Sequence, residues 1–241
     1  MFFFFKRPTI VVDCFTDNYN LIDHCPIDHA SKFYPKWWDN AKPYFTKNQN
    51  GIELQRPTLK KCTGLIQYYG QGFIMPLWSD LEIQIDENGY RYVFADLISE
   101  LEWHGPEQWE AYANPSMYVQ TKIKSPWRLK CSKDINFLMT EPYWNYPPTK
   151  PYSIMSGVVD FKYQHAVNVN IMMEYKKQQI SFKLNDPIYH IIPLTDKKIQ
   201  LKYHAITREE FDKITFIPSY SNNYNQTRKL KDKQCPFHKR K

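Results

Sequence analysis

The sequence predicts a mainly-β fold, a sandwich or a distorted barrel, with a few short helices and aromatic-rich extensions. Three observations lead there. Short runs of alternating apolar and polar residues recur along the chain, which is the period of strands with one buried face. Turn signals separate these runs, and 17 prolines in 241 residues favour short segments joined by rigid corners. No internal repeat, heptad run or low-complexity tract points to another architecture.

Each element follows in order. Phe2 to Phe5 reads as part of a buried first strand with Thr9 to Cys14, the alternative being an exposed sticky end. Thr9 to Phe15 is a strand. Asp23 to Asn50 reads as irregular and polar-aromatic. Within it, Tyr34-Pro35-Lys36-Trp37-Trp38 suggests a docking segment or a lid, so Trp37 and Trp38 are candidate partner-binding residues. Leu59 to Tyr69 reads as a short helix with Leu65, Ile66 and Tyr69 on one side. Phe73 to Ile85 reads as one strand kinked at Pro76, where Leu81, Ile83 and Ile85 alternate. Asn88-Gly89 is a strong hairpin signal, and Tyr90 to Phe94 is its returning strand. Pro106 to Ala113 makes one or two helical turns. Tyr118 to Lys130 alternates again, with Val119, Thr121 and Ile123 leading into Pro126-Trp127. Ile135 to Thr140 is a short strand, Glu141 to Pro151 a Pro- and Tyr-rich loop, and Leu201 to Ile206 a closing strand. Thr207, with Glu210 three residues on, matches a capping box at a helix start. These elements predict a single mainly-β domain over 1–217, with its core at about 73–206, an irregular aromatic insertion over 23–58 and a basic tail over 218–241.

The stretch from Ser156 to Leu194 carries the strongest pattern. It places Asp160 at the tip of a predicted β-hairpin. Val167, Val169 and Ile171 then alternate with polar or softer residues, and Tyr175 to Gln178 is a polar break of hairpin-loop length. Ile180, Phe182 and Leu184 form a second strand, Asn185-Asp186-Pro187 a corner, and Ile188 to Leu194 a further strand. An acid in a turn caps it or, because sites cluster on loops held by rigid scaffolds, binds or reacts.

Gly157, Val158, Val159, Asp160, Tyr163 and Gln164, followed by the Asn185-Asp186 corner, resemble the hairpin motif of the dUTP pyrophosphatase and dCTP deaminase (β-clip) superfamily. That family has Gly-Val-Ile-Asp-x-x-Tyr-Arg-Gly and then Gly-Asp-x-Ile-x-Gln. The resemblance covers about a sixth of the chain. It implies a dUTPase-like scaffold, Asp160 as the water-activating base and Tyr163 as the sugar platform. It also implies Gly157, Asp160, Tyr163 and Gln164 as ligand-binding residues, Mg²⁺ as cofactor if the enzyme reading holds, and a trimer, since those enzymes build sites between subunits. The chain departs from the family at His165 and Asn185, where the family has Gly, and at Tyr189-His190. It has no Pro-Arg-Ser-Ser phosphate motif and no Gly-rich C-terminal arm. The chain is also similar to a group of uncharacterised, aromatic-rich bacteriophage proteins.

Charge and cysteines bound the partners. The formal net charge is +7, but 228–241 holds seven basic residues against the single acid Asp232, so the rest is nearly neutral. Such a tail suits nucleic acid or an acidic surface, with Arg228, Lys229 and Lys231 as candidate contacts, and equally suits a solvated end. Five widely spaced cysteines are not a disulfide framework, and a reducing interior or a particle assembled there fits. No apolar run approaches the ~20 residues of a membrane span, and Met1 to Phe5 is too short for a signal-peptide core, so the expected location is a host cytoplasm or a virion. His24, Cys25 and His29 with Cys235 and His238 lack the tight pairing of structural zinc sites, so no metal is expected. His104, with Gln108 four residues on, reads as a loop histidine held by its neighbours, or as a ligand or base.

Three functions fit. The first is a non-catalytic, phage-encoded protein on this scaffold that acts in protein–protein assembly. The second is a nucleotide-binding or nucleotide-hydrolysing enzyme using Asp160 and Tyr163. The third is a small-ligand or nucleic-acid binder. A triphosphate needs Arg, Lys, metal or oriented backbone N–H groups. The acid in Thr140-Glu141-Pro142 has the wrong charge for that task, so the first reading leads.

Overall fold

The computed structural model describes residues 9–221, with side chains as far as 214. The chain runs through β1 (Thr9–Thr16), α1 (Asn20–His24), β2 (Asp28–His29), α2 (Lys36–Asn40), β3 (Tyr44–Gln49), β4 (Ile52–Pro57), α3 (Thr63–Gly70) and β5 (Phe73–Pro76). It continues through β6 (Leu81–Asp86), β7 (Gly89–Phe94), β8 (Leu101–Trp103), β9 (Tyr118–Ile123), β10 (Arg128–Cys131), β11 (Phe137–Thr140) and β12 (Tyr152–Ile154). It ends with β13 (Gly157–Val159), β14 (Val169–Glu174), β15 (Gln178–Phe182), β16 (Pro187–Pro193), β17 (Lys198–Ala205) and α4 (Arg208–Ser221). The fold is therefore mainly β, as the alternating runs predict.

The strands form separate sheets instead of a closed barrel. One has the order β10-β1-β17, a second β13-β11-β16-β5-β2, a third β12-β14-β9-β8, a fourth β15-β6-β7, and β3-β4 stands alone. β1 runs parallel to β17 and antiparallel to β10. The first four sheets share one apolar core. Trp127, Phe137, Phe161, Phe182, Ile83 and Met75 lie in it almost without solvent contact. A second, smaller cluster gathers Ala30, Leu65, Tyr69 and Ile74 under α3, with Trp37, Trp38 and Trp144 packed on its rim.

Four local expectations are corrected. Phe73 to Ile85 is not one kinked strand: β5 and β6 belong to different sheets. Pro76 has no N–H to continue the ladder, and Leu77 instead donates to Asp186 O at 2.8 Å and accepts from Asn185 N at 2.8 Å. The strands flanking Tyr175 to Gln178 do not pair with each other. β14 lies between β9 and β12, whereas β15 pairs with β6. The Tyr175 N–H turns aside to Met117 O at 2.7 Å. Tyr118 to Lys130 is broken at 124–127, where Ser125 Oγ accepts from Trp127 N at 3.1 Å and Arg128 begins a strand of another sheet. Finally, the segment 23–50, read as irregular, contains the end of α1, then β2, α2 and β3, and β3 pairs with β4 in a regular hairpin. A sequence signal for that hairpin exists at Asn50-Gly51, where both residues have positive φ (54° and 79°), as a two-residue turn of the mirror-image type requires. Phe2 to Phe5 and the tail from 222 lie outside the described residues.

Candidate functional site

The turn after β13 places the residues of the family motif. β13 pairs with β11, so Asp160 ends a strand pairing and does not sit at the tip of a hairpin. The reason is local. Asp160 Oδ1 accepts from Lys162 N at 2.9 Å, and its carbonyl accepts from Tyr163 N at 3.1 Å and Gln164 N at 3.0 Å. This is an Asx turn, in which a short side chain satisfies nearby backbone donors. The next residues dock against β10: Cys131 N donates to Phe161 O at 3.2 Å, Leu129 N to His165 O at 2.8 Å, and Arg128 bridges to Ala166. Phe161 thereby enters the core, 4.7 Å from the Phe137 ring.

The candidate ligand residues separate in space. Asp160 is 8% exposed and Tyr163 3% exposed, with Lys162 Nζ 5.1 Å from the Tyr163 ring. Gly157 is exposed on β13. Gln164 alone of the four lines the main cleft.

That cleft has a volume of about 680 Å³. One wall is the β8–β9 edge, where Lys122 reaches Glu102 at 2.5 Å and Lys124 reaches Glu100 at 2.7 Å and Glu102 at 2.5 Å. Burial raises the Glu102 pKa, but the two ammonium groups outweigh it and hold the carboxyl below the usual range. The opposite wall is the start of α4, where Arg208 pairs with Asp17 at 3.0 Å and Asp212 at 3.2 Å. Between them Arg128, 8% exposed, donates to Ser125 O and Trp127 O, and its guanidinium lies 4.2 Å from the Phe211 ring. Burial, with Arg208 nearby, pushes the Arg128 pKa down to about 10, still cationic at neutral pH. The ion pairs of each wall thus close within that wall.

Trp37 and Trp38 are half-buried on the chain's own second cluster. Trp37 Nε1 donates to Trp144 O at 3.0 Å, and Trp38 stacks on Tyr34 at 4.8 Å. Cys25 Sγ donates to Leu77 O at 3.3 Å, and burial pushes its thiol up to about 11. Cys235 and His238, like Arg228, Lys229 and Lys231, lie outside the described residues. No group of three or more potential metal ligands occurs among the described residues. His104 Nδ1 hydrogen-bonds Gln108 Oε1 at 2.7 Å, as the loop-histidine reading expects, while no partner for its buried Nε2 is found among the described residues. No described helix is long and apolar enough to cross a membrane.

The β3–β4 hairpin is the feature that sequence reasoning missed. Every residue of it is exposed except Leu54, which is half-buried. Thr58 N donates to Pro43 O at 3.0 Å and closes its base. Phe45, Ile52 and Leu54 share one face in the observed register, and Phe45 is 49% and Ile52 63% exposed. Protein-family models yield no match to this chain, and a search of curated proteins finds none.

Proposed function

We propose that this chain is a non-catalytic assembly component on a dUTP-pyrophosphatase-like β scaffold, joining copies of itself in a complex such as a virion. The observation that carries this reading is the β3–β4 hairpin. It forms a two-stranded sheet without a third strand among the described residues. Two-stranded hairpins are marginal in water alone, and a third strand or a packed face stabilises them. Apolar side chains held in the open on such an arm suit burial against a neighbour. The scaffold likeness rests on Gly157-Val158-Val159-Asp160 and on Asn185. Asn185 stands where the family has Gly and takes the left-handed conformation, with φ of 69°, that Gly and Asn adopt most readily.

The test is removal of the arm. Residues 44–57 are replaced by a short Gly-Ser linker between Pro43 and Thr58, whose backbone contact shows that the ends already meet. Light scattering then reads the molar mass. The intact chain forms an oligomer and the truncated chain a monomer, and the mass also separates the trimer implied by the family resemblance from a dimer. The same number of copies per particle in the two proteins would overturn the reading. Heat on titration with dUMP, dCMP or a non-hydrolysable dUTP analogue with Mg²⁺, weakened by Asp160→Asn, would favour the nucleotide enzyme instead.

A further inference from the structure

Resting on the assembly reading, we infer that the arm joins two copies edge to edge, β3 against β3 of a second copy about a two-fold axis, in a register centred on Thr46. The backbone supplies the first argument. Gln49 and Ile52 flank the two-residue turn and face each other, so in an antiparallel ladder they form a hydrogen-bonded pair, as do Lys47 with Leu54 and Phe45 with Arg56. The N–H and C=O groups of Tyr44, Thr46 and Asn48 therefore point outward along the β3 edge. These are the groups an added strand would take.

Register supplies the second. A two-fold axis normal to the sheet keeps each face on its own side, so the pairing must centre on a residue of β3. Two centres allow a five-residue overlap, Thr46 and Lys47. Centring on Lys47 sets two ammonium groups directly opposite each other, which is destabilising. Centring on Thr46 sets Thr46 against Thr46, Tyr44 against Asn48 and Phe45 against Lys47. Thr pairs are favourable across strands, and the Lys47 stem can lie along the Phe45 ring with its ammonium in water. All three outward-facing residues then find partners.

The β4 edge is the poorer template. Its outward residues are Glu53, Gln55 and Pro57, and Pro57 has no N–H. The β3 pairing gives the order β4-β3-β3-β4. Its single face carries Phe45, Ile52 and Leu54 of both copies, and the four strands supply what a lone hairpin lacks.

The test uses the full chain in three forms. Thr46→Pro removes the central edge donor but no bond of the hairpin itself, because that N–H points away from β4. Thr46→Val keeps the donor and the β-branch. Sedimentation of a concentration series shows a dimer for the parent and Thr46→Val, and loss of the dimer for Thr46→Pro. Independently, Thr46→Cys in a chain whose Cys62 and Cys235 are replaced by Ser gives a covalent dimer with a short bis-maleimide. Opposed residues of a hydrogen-bonded pair are about 5.5 Å apart at Cα, a gap that such a reagent spans. A Thr46→Pro chain that dimerises like its parent, or a Thr46→Cys chain that does not cross-link, overturns the inference. If removing residues 44–57 abolishes the oligomer but Thr46→Pro does not, only the edge pairing fails and the assembly role of the arm stands. If the oligomer survives removal of the arm, both fail.

Discussion

Two glycines two residues apart do opposite work. Gly72 has φ of 73°, and a Cβ there would lie 2.4 Å from Ile191 O and 3.0 Å from Ile192 Cα, both backbone atoms of β16. Backbone cannot swing aside, so Gly72→Ala should cost on the order of 3–5 kcal/mol, at the extreme of single substitutions. Gly70 has nothing within 4 Å of its would-be Cβ and no positive φ, so Gly70→Ala should change stability by about 1 kcal/mol or less. Urea denaturation of both variants checks the contrast. His190 makes a second prediction. It is fully buried, with Nε2–H donating to Gln71 O at 2.7 Å and the Tyr68 ring edge-on at 4.4 Å. Burial lowers its pKa from the ordinary 6.5. The neutral ring is the one the fold accepts, so its contribution is present above pH 6.5 and is lost as pH falls through the lowered value. The urea midpoint should drop on acidification from pH 6.5, and His190→Phe should flatten that slope. Neither residue stands out in the sequence: the one depends on a contact about 120 positions away, the other on a core that only the tertiary fold creates.

At the level of elements, local chemistry was legible wherever the element answers to its own residues. Thr207 and Glu210 form the capping box that their spacing implies. Thr207 N donates to Glu210 Oε2 at 2.9 Å, and Glu210 N donates to Thr207 Oγ1 at 3.3 Å. Thr207→Ala should therefore weaken the start of α4 by about 1 kcal/mol, seen as faster amide exchange at its first turn. Asn88-Gly89 likewise marks the passage from β6 to β7, with Glu87-Asn88 at the tip and Gly89 paired with Asp86. Asn50-Gly51 is the same dipeptide in a different turn: both of its residues have positive φ, whereas at Asn88-Gly89 only the glycine does. Ending the irregular segment at Asn50 divides that signal, and the flanking strands bury little, so no strong alternation draws attention to them. The partnering of β14 and β15 with strands of different sheets was not legible at all. The length of a polar break does not say whether its flanks pair or part, and here the distant Met117 carbonyl decides.

Across the whole molecule, the mainly-β class was readable because binary patterning depends only on which residues face inward. The division into separate sheets was not, since it depends on breaks such as Pro76-Leu77 and Ser125-Pro126, where backbone groups find partners outside the ladder. The candidate site was legible in part. Gly157 to Gln164 do form a structured turn, but one that packs Tyr163 inward and sends Gln164 alone to the cleft. The feature that carries the proposed role is the arm, which the proposal pairs with a second copy. Its clearest signature is amide hydrogen exchange in β3 as a function of protein concentration. Protection at Tyr44, Thr46 and Asn48 should rise as the protein is concentrated and vanish on dilution, while Phe45, Lys47 and Gln49 change less because they bond within the hairpin. Exchange across 44–49 that is the same at every concentration would contradict the arm as the joint between copies.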